Sequence, residues 1–469
     1  MKRLFVTPSE AGSGQALPLH AVLKRDLNTF LEHLAPREAA WLRSTSFGAK
    51  DGELALLPGA DGALAGAVLG LGKGLDVHAL ALFSERLPKG TYWLETVPPE
   101  FGGARAAYAW AIGTYKFSHY RRRSDNSPER ESPTLVVPDG VDAAAVTRMA
   151  EGVFLARDLI NTPANDMGPA ELEQAVRSLA EHHGAAVSVI EGDALLQEGY
   201  PLVHWVGRAS TRPPRLIDMI WGKAEHPKVT LVGKGVCFDS GGLDLKSASG
   251  MASMKKDMGG AACVLAVASM VMGGELPVRL RVLIPAVENS VSGSAFRPGD
   301  VLPSRKGLYV EIGNTDAEGR LILADALAEA DKEVPALMFC VATLTGAARA
   351  ATGMELPPFF TDDETLAGDL IDCGRGENDY LWRLPLWRPY DSAVDSNIAD
   401  VNNAPDYPLA GAITAALFLD RFVGNTKCWA HFDIPAWVDR PKPGRRRGAE
   451  ANGARAMFAV IARRFGRER

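Results

Sequence analysis

Four short, β-rich apolar runs, LIDMIW (216–221), KVTLVG (228–233), VRLRVLIP (278–285) and ALMFCVA (336–342), are separated by helical patterns at 261–272 and 321–330. Runs of that length and composition read as buried strands. Their alternation with helices restricts this part of the chain to a mostly parallel sheet covered by helices on both faces. In such sheets ligands sit beyond the carboxyl ends of the strands. Polar candidates fall there: Lys234 and Asp239 after one strand, Glu288 and Asn289 after another, residues 343–347 after a third.

At 469 residues the chain exceeds the usual reach of one hydrophobic core, so two domains are expected. The boundary is placed near residue 140. Residues 1–140 form a smaller N-terminal α/β domain, variable and suited to regulation or assembly; residues 141–469 form a larger catalytic α/β domain with the mostly parallel sheet. A helix over 142–159, with Val146, Met149, Val153 and Phe154 near one face, joins the halves. The segment HYRRRSDNSPERESP (119–133) is a polar loop whose arginines are balanced by Asp125, Glu129 and Glu131. A helical pattern is expected around 77–87, and His20, His33, His78 and His119 are scattered, which fits structural or interaction duty.

A composition of 46% hydrophobic and 23% charged residues excludes a disordered chain. The net charge of −6 gives no bulk reason to expect nucleic acid or an anionic membrane as a partner. Cys237, Cys263, Cys340, Cys373 and Cys428 lie far apart without a CxxC pair, arguing against a disulfide framework or a thiolate zinc site. No signal-peptide core or run of about 18 apolar residues is evident. A soluble cytoplasmic protein is expected.

The chemistry concentrates in VGKGVCFDSGGLDLKSASGMASMKKDMGGAA (232–262) and NTDAEGRL (314–321). No histidine lies between His226 and His431, so neither an HExxH zinc site nor a local Ser-His couple can be assembled from these stretches. Ser240 and Cys237 lack an activating neighbour and read as structural. Asp239, Asp257, Asp316 and Glu318 supply enough oxygen ligands for two divalent ions if one or two carboxylates bridge. Buried together they would repel one another, so they call for cations, and oxygen donors suit magnesium, manganese or zinc. Lys234, between two glycines after a strand, is placed to ligate a metal as a neutral amine. Lys246 is placed to stay protonated and polarise a substrate carbonyl, and Arg320 to hold an anion bidentately. Lys255 and Lys256 are expected to face solvent or form salt bridges.

At these residues the chain resembles the leucine aminopeptidase (cytosol aminopeptidase) family of dinuclear metallo-exopeptidases. NTDAEGRL carries the family signature, and VGKGVCFDSGG and MASMKKDMGGAA are similar to its other metal-binding blocks. RDLINTPAND (157–166), ENSVSGSAFRPGDV (288–301), TLTGA (343–347), GAITAALFL (411–419) and WAHFDIPAW (429–437) extend the likeness over about 150–440. The resemblance implies that Lys234, Asp239, Asp257 and Glu318 bind one metal and that Asp239, Asp316 and Glu318 bind the other. It implies that Lys246 polarises the scissile carbonyl and that Arg320 holds a bicarbonate ion that accepts a proton from the bridging water. Met254, Asn314, Thr343 and Gly346 would line a substrate pocket suited to leucine-like first residues. Peptide substrates anchored by their free α-amino group, and a homohexamer, follow from the same resemblance.

Asp244 stands where the family more often has a small polar residue, and it is expected to pair with Lys246 or alter its charge. A competing reading, an oligomeric binding or regulatory protein that contacts DNA, rests on the N-terminal domain and the arginines at 121–123 and 445–447. The net acidic charge weighs against it.

Overall fold

The expected strands and helices are present in a computed structural model, which describes residues 3–12, 16–74, 76–121, 132–405 and 407–466. The chain divides into two units, Met1–Phe154 with Arg440–Arg446 and Leu155–Asp439 with Arg447–Arg469. The division falls within the helix Ala143–Asn161.

In the smaller unit, strands pair in the order Phe5–Val6, Thr134–Val136, Thr91–Thr96, Leu17–Val22, Leu64–Gly70 and Leu54–Pro58, parallel except for the last pair. Phe83, Tyr92, Trp110 and Leu135 fill its core. The pattern around 77–87 is a 3-10 turn, Val77–Leu80, that runs into the helix Ala81–Arg86. His20 is structural: its Nδ1 lies 3.0 Å from Thr96 Oγ1 and its ring packs on Phe30. Burial pushes its pKa down to about 4. Arg121 is exposed; Arg122, Arg123, Asp125, Glu129 and Glu131 lie outside the described residues.

The larger unit is built on a nine-stranded sheet among the described residues. Its centre is parallel: Trp429–Asp433, Leu337–Ala342, Lys228–Gly233 and Arg279–Asn289 lie side by side. Antiparallel partners flank it, Pro358–Phe360 on one side and Arg215–Trp221 followed by Ala186–Glu191 on the other. Successive residues of a strand point to opposite faces. Val232 packs with Leu321, Ile322 and Leu327 of the helix Glu318–Asp331, whereas a Cβ at the next residue, Gly233, would lie 2.6 Å from Val264 of the helix Gly259–Gly273. Helices therefore cover both faces. Each fully buried leucine or isoleucine in these layers contributes about 1.5–3 kcal/mol relative to exposure. The stretch Met254–Gly273 is long and apolar enough to cross a membrane by composition, but it is mostly buried inside this unit and reads as a core helix.

The strand expected to end at Pro285 continues to Asn289. A proline in a central strand lacks one ladder donor. Here the gap falls where the neighbouring chain is itself interrupted: pairing with Lys228–Gly233 ends at Leu283, pairing with Gly235–Asp239 begins at Ala286, and Lys234 lies between.

Candidate active site

That interruption positions the first functional side chain. Lys234 turns its backbone N–H to Val341 O (3.0 Å) of the adjacent strand, and its ammonium points into the unit, 3% exposed. The Nζ donates to Thr343 O (3.0 Å) and lies 2.8 Å from Asp257 Oδ2 and 2.9 Å from Glu318 Oε1. Neither carboxylate oxygen accepts an aligned hydrogen bond. Gly319 makes this approach possible, since a Cβ there would lie 2.6 Å from Nζ.

Asp239 ends the short strand Gly235–Asp239. Its Oδ1 accepts from Gly241 N (2.8 Å) and from Asn289 Nδ2 (2.9 Å), so the carboxylate is fixed from two directions. Gly241, at φ +89°, turns the chain back in a conformation that a side chain would strain. The turn delivers Lys246, whose Nζ lies 2.7 Å from Asp239 Oδ2 and pairs with Asp316 Oδ1. Ser240 is structural, donating to Asn289 O (2.7 Å), and Cys237 is buried with its thiol pKa pushed up.

Residues 314–321 form a turn entering a helix. Asn314 Oδ1 accepts from Asp316 N (2.7 Å), an arrangement typical of asparagine in turns. Glu318 then opens the helix Glu318–Asp331, where the positive end of the backbone dipole favours an anion. One carboxylate oxygen each from Asp239, Asp316 and Glu318 lies within 4.8 Å of the others. Burial, and after it the charge of Asp239, raises the pKa of both Glu318 and Asp316. Burial alone would lower the pKa of Lys234 and Lys246, but the surrounding carboxylates outweigh it and hold both lysines charged. This crowded set of oxygen donors, with Asp239 and Glu318 buried, fits divalent cations.

Lys234, Asp239, Lys246, Met254, Asp257, Asn314, Asp316, Arg320, Thr343 and Gly346 all line one cavity of about 610 Å³. Glu318 sits behind that wall, 1% exposed and in contact with Lys234. The structure thus brings the expected residues together. Glu288 is held apart, accepting from Ser210 Oγ (2.6 Å) and Arg212 Nη1 (3.3 Å), whereas its neighbour Asn289 reaches the site. Arg320 is 8% exposed and donates from Nη1 to Asn403 O (2.6 Å); its Nε is buried without a partner among the described residues, and burial lowers its pKa to about 10.

Two expectations are corrected. Asp244 does not pair with Lys246: its Oδ2 accepts from Thr315 N (2.7 Å) and Thr315 Oγ1 (3.1 Å), tying together the loops that carry Lys246 and Asp316. Nor does Lys256 face solvent; Lys255 is only partly exposed, and neither forms a salt bridge among the described residues. The 3-10 turn Met254–Met258 buries Met254, Lys256, Asp257 and Met258 together. Lys255 donates to Asn161 O (2.5 Å), and Lys256, 4% exposed, lines the cavity; burial lowers its pKa to about 8.

Asn403 and Asp433 act on the site without having been singled out. Asn403, fully buried, accepts at Oδ1 from Gly313 N (2.8 Å) and donates from Nδ2 to Asn314 O (2.8 Å), holding the acidic turn. Asp433 accepts from Leu344 N (2.9 Å) and from Thr345 Oγ1 (2.6 Å), shaping the wall beside Thr343.

Comparisons with known proteins identify the family. Residues 154–458 match the cytosol aminopeptidase family, catalytic domain, and residues 17–133 match the M17 aminopeptidase N-terminal domain. A probable cytosol aminopeptidase of Syntrophotalea carbinolica is 39% identical over 449 residues, covering 89% of this chain and 90% of that protein. The crystal structure of cytosol aminopeptidase from Coxiella burnetii superposes with a TM-score of 0.91 at 44% identity, covering 98% of this chain and 99% of that one. The bottromycin maturation enzyme BotP in complex with Mn gives a TM-score of 0.85 at 32% identity, covering 96% and 99% respectively. Matched by the family model across its catalytic unit and by relatives along most of its length, this chain belongs to the cytosol aminopeptidase family and is a metal-dependent aminopeptidase.

Proposed function

We propose that the protein is a dinuclear leucyl aminopeptidase. Lys234, Asp239, Asp257 and Glu318 would hold one divalent ion and Asp239, Asp316 and Glu318 the other, drawn from zinc, manganese or magnesium. When bound, such ions polarise a carbonyl and lower the pKa of water. The observation that carries the reading is the cluster of Asp239, Asp316 and Glu318, whose oxygens lie within 4.8 Å of one another and two of whose members are buried.

The chain's own groups do the rest. Lys234 serves as a nitrogen donor once it gives up its proton, as any metal-ligating amine must. Lys246, kept charged by Asp239 and Asp316, donates to the scissile carbonyl oxygen and more strongly to the oxyanion that develops there. Arg320, with its unpartnered Nε, would hold bicarbonate, which supplies a proton acceptor. The substrate's free α-amino group is the anchor, directed at the acidic cluster, and Met254, Leu344 and Ile434 offer an apolar wall to a leucine-like first side chain. Asn314, Thr343 and Gly346 complete the substrate wall.

The N-terminal unit, read as residues 1–140, would serve assembly or regulation, in a cytoplasmic homohexamer. DNA binding is the weaker reading, because the chain carries a net charge of −6. Leucine amide hydrolysis before and after exhaustive chelation tests the proposal. Activity should vanish and return with added Mn²⁺ or Zn²⁺; hydrolysis that survives chelation would sink it.

A further inference from the structure

We propose that the cavity has an anion-recognising end, formed by Lys256 with Arg349, that takes the side-chain carboxylate of substrates whose first residue is glutamate or aspartate. The inference rests on the aminopeptidase reading above and extends its substrate class.

Lys256 is 4% exposed and lines the cavity, yet among the described residues its ammonium has neither a hydrogen bond nor an ion pair. The anions close enough to influence it are engaged elsewhere. Asp257 receives Thr343 Oγ1 at 2.7 Å and faces Lys234 at 2.8 Å. Asp433 receives the backbone amides of Leu344 and Thr345 and the Thr345 hydroxyl. Arg349, exposed on the helix Gly346–Thr352, lines the same cavity and adds a second positive charge. The side chain is buried, but its ammonium opens on the cavity, where an anionic ligand can take the place of water as its partner.

The position selects the ligand. Lys256 shares one turn with Met254, part of the apolar wall, and with Asp257, part of the acidic cluster to which the substrate amine is directed. A side chain leaving the first residue therefore runs along Met254 with a cationic group in the same wall. Leucine uses only the apolar surface; glutamate would use both, its methylenes on Met254 and its carboxylate on Lys256.

The test compares α-glutamyl and leucyl 7-amido-4-methylcoumarin, neither of which has a C-terminal carboxylate, on metal-loaded protein. Wild type should hydrolyse both. In Lys256→Met the glutamyl-to-leucyl ratio of kcat/KM should fall at least tenfold, about 1.4 kcal/mol, mainly through KM for the glutamyl substrate, and Lys256→Arg should recover part of it. An unchanged ratio overturns the proposal, as does wild type that hydrolyses the leucyl substrate alone. If Lys256→Met does not fold, Arg349→Gln at an exposed position must lower the same ratio, and no change there overturns it. Should Lys256→Met discriminate instead between Leu-Gly and Leu-Gly-amide, the lysine binds the peptide terminus and the side-chain assignment is wrong. Failure of wild type on both coumarin substrates would reject the aminopeptidase reading itself.

Discussion

Asp257→Ala is expected to lose one of two bound metals and to lower kcat/KM by more than roughly 100-fold. Outer-shell partners of a metal cost about 10–100-fold when removed, and a direct ligand should cost more. The loss has a structural side. Asp257 is 3% exposed and 2.8 Å from the Lys234 ammonium, so the metal-free variant removes one of the two carboxylates that face that buried charge and leaves Glu318 as the other. Thr343 Oγ1 loses its 2.7 Å acceptor as well. Elemental analysis and thermal unfolding read the two effects separately, and full metal occupancy in the variant would remove Asp257 from the ligand set.

Lys246→Ala should separate chemistry from metal binding. Its ammonium touches Asp239 and Asp316, but Asp239 is also held by Gly241 N and Asn289 Nδ2. Metal content should therefore stay at the wild-type level. Turnover should fall by roughly 10²–10³-fold, the usual result of deleting a donor to a developing oxyanion. Unchanged turnover would mean that another group polarises the carbonyl.

Much of the site could be read from the sequence because its residues are dense in two short stretches. The glycine-spaced set in residues 232–262 and the acids of NTDAEGRL lie next to strands whose apolar runs are long enough to recognise. The strand Lys228–Gly233 has the expected limits, and Leu337–Ala342 is one residue shorter. Other features depend on contacts remote in sequence. Asn403 lies about 90 residues from the Gly313 amide it supports, and its neighbours in VNNAP give no sign of that role. Asp244 was close enough in sequence to Lys246 to suggest a pair, but Thr315 Oγ1 and N captured its carboxylate. Adjacent lysines such as Lys255 and Lys256 ordinarily mark a solvated face, which hides the burial of Lys256 from the sequence. The 3-10 turn places one beside Asn161 O and buries the other in the cavity. The apolar run ends at Pro285, but the strand continues to Asn289 because Gly235–Asp239 resumes the pairing from Ala286.

Lys234, Asp239, Asp257, Asp316 and Glu318 are proposed to hold two catalytic metal ions. The most direct measurement titrates Mn²⁺ or Zn²⁺ into fully stripped protein while following bound metal and leucine amide hydrolysis together. No activity is expected without metal, and full activity at two bound ions per chain. Full activity at a single bound ion, or hydrolysis by the stripped protein, would contradict it.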